Sequence, residues 1–230
     1  MKGFGDLLLR SAVTCQACPL SQDEYWAKHP GRASRATGFG AKASRVFFVA
    51  ESTRDYIDGS PWDLMKLHEN ELAPPEVLVP WLEGLDPEVN PVLWAFAHGG
   101  VTASDLYLTC GVKCSFKSST PLKSGVLKTC LQEHLGVELE TVKPYVIWVT
   151  GHHAMKQIAL HFQAWSVPML SSGDTVTIAR PPRWGGGHIL ILRTEHPNSI
   201  KPAQPAYMAY ALAAVRVRQY LESLDDRRGT

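Results

Sequence analysis

The chain has 230 residues, of which 45% are hydrophobic and 20% are charged, a composition typical of a soluble globular protein. No apolar run approaches the ~20 residues that cross a bilayer, and three consecutive leucines near the start are too few for a signal peptide. The formal net charge of +1 gives no general indication of nucleic-acid binding, so such a surface would be local. We expect one cytoplasmic, monomeric domain over residues 1–230, without a membrane partner.

Four short apolar runs predict buried strands, because each is nearly continuous and rich in β-branched or aromatic residues. They are RVFFVA at 45–50, DLYLTC at 105–110, YVIWVT at 145–150 and HILILR at 188–193. Helical patterns cover residues 124–139, 152–162 and 205–224. Prolines mark residues 63–92 as an insertion of short helix and loop.

The alternation of strands and helices predicts an α/β fold. We expect a three-layer α/β/α sandwich with a central four-stranded parallel sheet. Ligands of such sheets usually bind beyond the carboxyl ends of the strands, so functional side chains are expected there.

The five cysteines suggest metal ligation or catalysis rather than disulfides, because cytoplasmic thiols are kept reduced. Cys15 and Cys18 form a C-x2-C pair, whereas fifteen residues separate Cys114 from Cys130. Structural zinc sites usually combine two tight pairs, which this spacing lacks. Four thiols split between two loops are suited to a [4Fe–4S] cluster. Zinc and a set of unrelated buried thiols are the alternatives.

Six motifs follow one another in a recognisable order: CQACPL (15–20), RVFFVAE (45–51), DGSPW (58–62), DLYLTCGVKC (105–114), KPYVIWVTGHHA (143–154) and TEHPNS (194–199). In this order, and with this cysteine spacing, they resemble the uracil-DNA glycosylase superfamily, in particular its iron–sulfur branch, often called family four. The resemblance covers most of the chain. It implies an enzyme that extrudes a base from DNA and cleaves its N-glycosidic bond to leave an abasic site.

The resemblance also implies the roles of individual residues. Glu51 corresponds to the carboxylate that places or activates the attacking water, and His196 to the histidine that stabilises the leaving base. Trp62 stands where a phenylalanine stacks on the extruded base, although a tryptophan buried under the insertion is the alternative. The cluster would have a structural role, and its four ligands would be Cys15, Cys18, Cys114 and Cys130.

Further residues near these motifs are assigned to substrate or DNA on the same grounds. Ser52, Asp58 and Asn198 are expected around the base, with Asp55 as an alternative to Asp58. Ile200 is a candidate wedge for the minor groove. Lys113 and Lys201 are candidates for phosphate contacts, although a single lysine is more often an ordinary surface cation.

Two departures from the family pattern concern the base pocket. The first motif, Gly-Glu-Ala-Pro-Gly in the family, is AESTR here and lacks both glycines and the proline. The asparagine that reads uracil is replaced by Cys110, and a thiol is a weak donor and a weak acceptor. We therefore expect a modified or damaged pyrimidine as the substrate. A hypermodified cytosine of phage DNA is one such base and would imply antiviral defence.

Three other functions remain open at this point. One is a uracil-DNA glycosylase of base excision repair, and another is a superfamily member that has kept the fold and lost catalysis, so that it only binds modified DNA. A zinc-stabilised α/β protein unrelated to DNA is the third. Retention of both Glu51 and His196 favours an enzyme.

Overall fold

The structure is a computed structural model of the chain. It describes residues 15–18, 38–40, 42–52, 95, 99–102, 105–114, 122–162, 175–179, 184, 188–194 and 206–229. The predicted insertion at 63–92 lies outside these residues.

The described strands form one sheet. They are β1 (Phe39–Gly40), β2 (Val46–Ser52), β3 (Leu106–Val112), β4 (Val146–Thr150), β5 (Thr175–Ala179) and β6 (Ile189–Thr194). Their order across the sheet is β1-β3-β2-β4-β6-β5. The four central strands, β3, β2, β4 and β6, run parallel to one another, which confirms the predicted parallel sheet. Strands β1 and β5 were not predicted, and they pair antiparallel at its two edges.

The described helices follow the predicted positions closely. They are α1 (Ser124–Cys130), α2 (Gly136–Val142), α3 (His152–Phe162) and α4 (Ala206–Gly229), with a π-helical turn at Leu131–Leu135 joining α1 to α2. Helix α2 ends at Lys143, which adopts a left-handed conformation with φ of 49°. Among the described residues, no helix is both long and apolar enough to cross a membrane.

Each central strand buries side chains on both faces, which explains its continuous apolar sequence. In β2, Val46 and Phe48 pack in a core that includes residues of α4. Phe47 and Val49 point to the other face and pack in a core with residues of α2 and α3. Helices thus cover both faces of the sheet, and the three-layer α/β/α sandwich is confirmed.

Because the central strands are parallel, their carboxyl ends lie along one edge of the sheet. Ser52, Val112, Thr150 and Thr194 are the last residues of β2, β3, β4 and β6. This strand-end edge is the position at which α/β sheets usually bind ligands. It is the position from which the candidate site is built.

Candidate active site

Glu51, the penultimate residue of β2, lies at the strand-end edge and is only 7% exposed. Its carboxylate oxygen Oε1 accepts a hydrogen bond from the backbone N–H of His153 at 3.0 Å. The same oxygen contacts Nδ1 of the His153 imidazole at 2.5 Å. His153 is the second residue of α3, and a helix N-terminus favours negative charge. The fold therefore holds a buried carboxyl group at this edge, against the start of α3.

Gly151 makes room for the carboxylate between β4 and α3. Its φ of 87° lies in the left-handed region, where residues with a side chain are strained. A Cβ at this position would lie 3.2 Å from the carboxyl carbon of Glu51. The Gly151 N–H donates to the carbonyl of Thr194 at 3.3 Å, which ties this turn to the end of β6. A glycine is thus required both by the backbone and by the close approach of Glu51.

His152 precedes His153 but has a different environment. Its side chain is exposed, and its ring lies edge-on to that of His153, with 5.8 Å between the centroids. Partial burial and the neighbouring Lys156 lower the pKa of His152 below its ordinary value. His152 is therefore neutral at pH 7.

Cys110 is completely buried in β3, and its thiol donates to the carbonyl of Val112 at 3.1 Å. Burial raises the pKa of Cys110 to about 12, so the group is a neutral thiol at pH 7. In the sheet register Cys110 pairs with Ala50, the residue before Glu51. Since successive side chains on a strand point to opposite faces, those of Cys110 and Glu51 leave the sheet on opposite sides. A base that contacts both residues would have to lie over the strand-end edge.

Lys113 follows β3 but does not face solvent. Its side chain is 1% exposed, and its ammonium lies 2.7 Å from Oε2 of Glu138, which is equally buried. Thr109 also contacts this ammonium and donates to the same carboxylate oxygen at 2.7 Å. The second oxygen of Glu138 accepts from the Gly38 N–H at 3.1 Å. Lys113 is therefore not available for the predicted phosphate contact, because its ammonium group is paired with Glu138 in the protein interior.

Four cysteines from three separate segments converge beside the end of β3. Cys18, Cys114 and Cys130 pack together in one buried cluster, and Cys15 is half-buried. Cys15 and Cys18 are close enough to Cys130 for their charges to affect its titration. We call these four residues the cysteine site.

The described cysteines form no disulfide, and a backbone hydrogen bond at Cys130 favours an anionic sulfur there against the larger opposing effect of burial. Burial raises the pKa of Cys130 to about 11, while a hydrogen bond from the Lys113 backbone lowers it. Such a backbone donor stabilises a thiolate. In the described part of the chain, which includes all four cysteines of the cysteine site, no group of three or more His, Cys, Asp or Glu side chains is arranged to hold a metal ion. A set of four converging thiols is the donor set that a [4Fe–4S] cluster requires, and the cluster stays a prediction.

Gln157 of α3 connects the two parts of this region. Its buried amide nitrogen donates to the carbonyl of Gly111 at 2.8 Å and to that of Leu127 at 2.9 Å. Gly111 belongs to β3 and Leu127 to α1, which also carries Cys130. One side chain therefore joins the helix that holds Glu51 to α1, which carries Cys130, and to β3, which ends two residues before Cys114.

Several predicted site residues lie outside the described residues and stay predictions. These are Asp58, Trp62, His196, Asn198, Ile200 and Lys201. Ser52 is described as the last residue of β2, with Val112 as its register partner.

Sequence reasoning missed His153 and Gln157. The stretch TGHHA, in which a glycine and two histidines follow a strand, carried a signal for His153. The first turn of a helix that follows a parallel strand lies at the ligand-binding edge. Gln157 carried no such signal, because it is one polar residue on a mostly apolar helix face.

Residues 37–216 match the family model described as the Uracil DNA glycosylase superfamily. A comparison with curated proteins gave no match. The family match covers well over half of the 230 residues and includes every central strand as well as Glu51, Cys110, Cys114 and Cys130. The chain belongs to the uracil-DNA glycosylase superfamily.

Proposed function

We propose that this protein is a DNA glycosylase that removes a modified pyrimidine and leaves an abasic site. The observation that carries the proposal is the placement of Glu51 in a superfamily member. A buried carboxylate lies at the ligand-binding edge of the sheet, and two donors from the start of α3 hold it. Members of this superfamily act on DNA, which makes DNA the proposed partner.

The carboxylate suits the reaction for an electrostatic reason. Cleavage of the N-glycosidic bond leaves positive charge on the sugar and negative charge on the departing base. A fixed anion stabilises the sugar cation and orients the water that attacks it, without having to reorganise during the reaction. In the proposed mechanism Glu51 has this role, and His196 donates to the oxygen of the leaving base.

The choice of a modified pyrimidine over uracil depends on Cys110. A neutral, buried thiol that already donates to the Val112 carbonyl does not offer the paired donor and acceptor of an amide. A pocket that selects its base through such bonds loses that selectivity when they are missing. One candidate substrate is a hypermodified cytosine of phage DNA. Excision of that base would give the protein a role in antiviral defence.

The cysteine site is proposed to hold a [4Fe–4S] cluster. Cys15, Cys18, Cys114 and Cys130 would be its ligands. When bound, the cluster would supply a covalent link among three segments of the chain rather than redox chemistry in the reaction. The Lys113 backbone, which hydrogen-bonds Cys130, would stabilise one of the ligating thiolates.

A base-excision panel tests the proposed function. It would contain labelled single- and double-stranded DNAs with uracil, hypoxanthine, 5-hydroxymethylcytosine, its glucosylated form and unmodified cytosine. We expect abasic sites from one modified pyrimidine, and a loss of roughly 10²–10³-fold in rate on Glu51→Gln or His196→Ala, as for removal of one preorganised electrostatic group.

Other outcomes of the panel favour other functions. Efficient excision of uracil by the wild-type protein would contradict the substrate proposal and favour base excision repair. Binding without excision would favour a non-catalytic DNA-binding protein. If Cys110 determines the choice of base, then Cys110→Asn should increase excision of uracil relative to the modified base.

A further inference from the structure

We infer that His153 is a positioning residue that fixes the carboxylate of Glu51 for the glycosylase reaction. The inference depends on the proposed function, because it names the group that orients the proposed catalytic anion. It adds to the site a residue that was not among the predicted site residues, although it lies in the motif KPYVIWVTGHHA.

The first argument is the convergence of two donors on one oxygen. Both the backbone N–H and the Nδ1 of His153 contact Oε1 of Glu51, at 3.0 and 2.5 Å. Two donors in different directions restrict the rotation of a carboxylate more than one donor does. Gly151 also packs closely against this side chain, since a Cβ at its position would lie only 3.2 Å from the carboxyl carbon of Glu51. The carboxylate is thus held by an imidazole and by a closely packed backbone.

The second argument is that capping of α3 does not require an imidazole. A carboxylate that accepts one backbone N–H already caps a helix N-terminus. The additional contact through Nδ1 restricts the Glu51 carboxylate further and does not contribute to capping of the helix. A merely structural role would therefore be satisfied by the backbone bond alone.

The third argument is the location of the pair at the boundary of the protein. The side chain of Glu51 is 10% exposed, and that of His153 is 30% exposed. The carboxylate is thus shielded from bulk water but lies beside the edge that faces a ligand. Charge-assisted hydrogen bonds are stronger in such an environment than in water. His153 can thereby fix the direction of the anion without covering it completely.

Binding of abasic-site analogues tests this role without knowledge of the excised base. One DNA would carry a pyrrolidine nucleotide, which is cationic at pH 7 and mimics the charged sugar. A matched DNA would carry neutral tetrahydrofuran at the same position. The ratio of the two Kd values measures the contact between an oriented anion and the sugar position. We expect the wild-type protein to bind the pyrrolidine DNA on the order of tenfold more tightly, as expected for one close charge pair.

Three substitutions and one control separate positioning from folding. His153→Ala should remove most of the tenfold preference, because Oε1 loses its side-chain donor. His153→Asn should keep most of it, because its amide nitrogen occupies the place of Nδ1. His153→Gln places the amide farther from the backbone and should resemble the alanine variant. His152→Ala is the matched control, since its imidazole is the neighbouring exposed ring, and it should bind both DNAs as the wild type does.

The outcomes distinguish failure of the inference from failure of the proposed function. A full wild-type preference in His153→Ala would overturn the positioning role while leaving the glycosylase proposal intact. Equal losses in His152→Ala and His153→Ala would also overturn it, because the whole helix start would then be responsible. No preference in the wild type would mean that Glu51 does not face the sugar, which overturns both. Circular dichroism of each variant verifies the fold, and His153→Asn keeps the test decisive if His153→Ala unfolds.

Discussion

Lys113 carries a positive charge into the protein interior, one residue before Cys114. Its only charged partner among the contacts described above is Glu138, whose carboxylate also accepts from Thr109 and from the Gly38 backbone. Burying two ions costs several kcal/mol each, and close pairing with additional hydrogen bonds offsets this cost. The network joins β3 to α2, so its main effect is expected on stability.

Substitution of Lys113 should therefore reduce stability strongly. Lys113→Met leaves the Glu138 carboxylate without its counter-ion, and breaking a buried pair in this way costs about 3–5 kcal/mol. The free energy of unfolding from denaturant titration measures the effect. Lys128→Met, on the exposed face of α1, is the control and should change stability by less than ~0.5 kcal/mol. Similar free energies of unfolding for the two variants would contradict a stabilising ion pair. The Lys113→Met, Glu138→Met double variant should lose less stability than the two single variants lose together.

The roles of single residues were only partly predictable from the sequence. Glu51 could be placed at the strand-end edge because it directly follows an apolar strand. Lys113 was predicted to contact phosphate, with an ordinary surface cation as the alternative, since lysines are rarely buried. Its partner Glu138 lies in a helix farther along the chain. The pairing of Glu51 with His153 depends on β2 and β4 being neighbours, and a linear sequence does not show which strands are adjacent.

At the scale of elements, the hydrophobic pattern located each central strand to within two residues of its observed ends. The signal was strong because these strands are covered on both faces. The edge strands β1 and β5 were not predicted, because they lack this continuous apolar pattern. Strand β1 has two residues, too few for any period, and β5 alternates polar and apolar residues in TVTIA without a continuous apolar run. The π-helical turn after Cys130 has no recognised sequence pattern.

The turn between β4 and α3 should not tolerate a side chain. Gly151→Ala forces an alanine into the left-handed region, which costs about 1–2 kcal/mol of stability. Its Cβ would also displace the Glu51 carboxylate, so the preference for pyrrolidine DNA should fall along with stability. Chemical unfolding and the two Kd values measure these effects.

Gly125→Ala provides the matched control for this glycine. Among the described residues, nothing beyond its chain neighbours and its own helix backbone lies within 4 Å of its Cβ position in α1, and alanine favours a helix by up to about 1 kcal/mol relative to glycine. This variant should be at least as stable as the wild type and should bind DNA normally. A Gly151→Ala protein that behaved in the same way would show that the turn does not control the position of Glu51.

At the scale of the whole molecule, the cysteine site connects the start of the chain to the core. Cys18 is buried against residues of β3 and α1, although those elements lie far away in the sequence. The predicted cluster would make this connection covalent. Protein purified without oxygen should be brown and contain about four iron atoms and matching sulfide per chain.

Two cysteine substitutions test whether the cysteine site is the cluster site. Cys130→Ser should lose iron, sulfide and the visible absorbance, because one of four ligands is removed. Cys110→Ser should retain all three, although Cys110 is also buried and lies four residues from Cys114. Zinc in place of iron, or equal losses in both variants, would contradict the assignment. Iron content and visible absorbance are independent of any DNA activity.

The packing of Cys18 against Cys114 and Cys130 also constrains the order in which these segments can dock during synthesis. A ribosome adds about 5–20 residues per second, so roughly 5–20 s pass between the synthesis of Cys18 and that of Cys130. During this interval β2 and β3 are made, while the first two thiols have no partners to meet. Cys18 can therefore dock against Cys130 only after α1 has been synthesised. Delivery of iron and sulfide to a nascent chain would be productive only after α1 has left the ribosome.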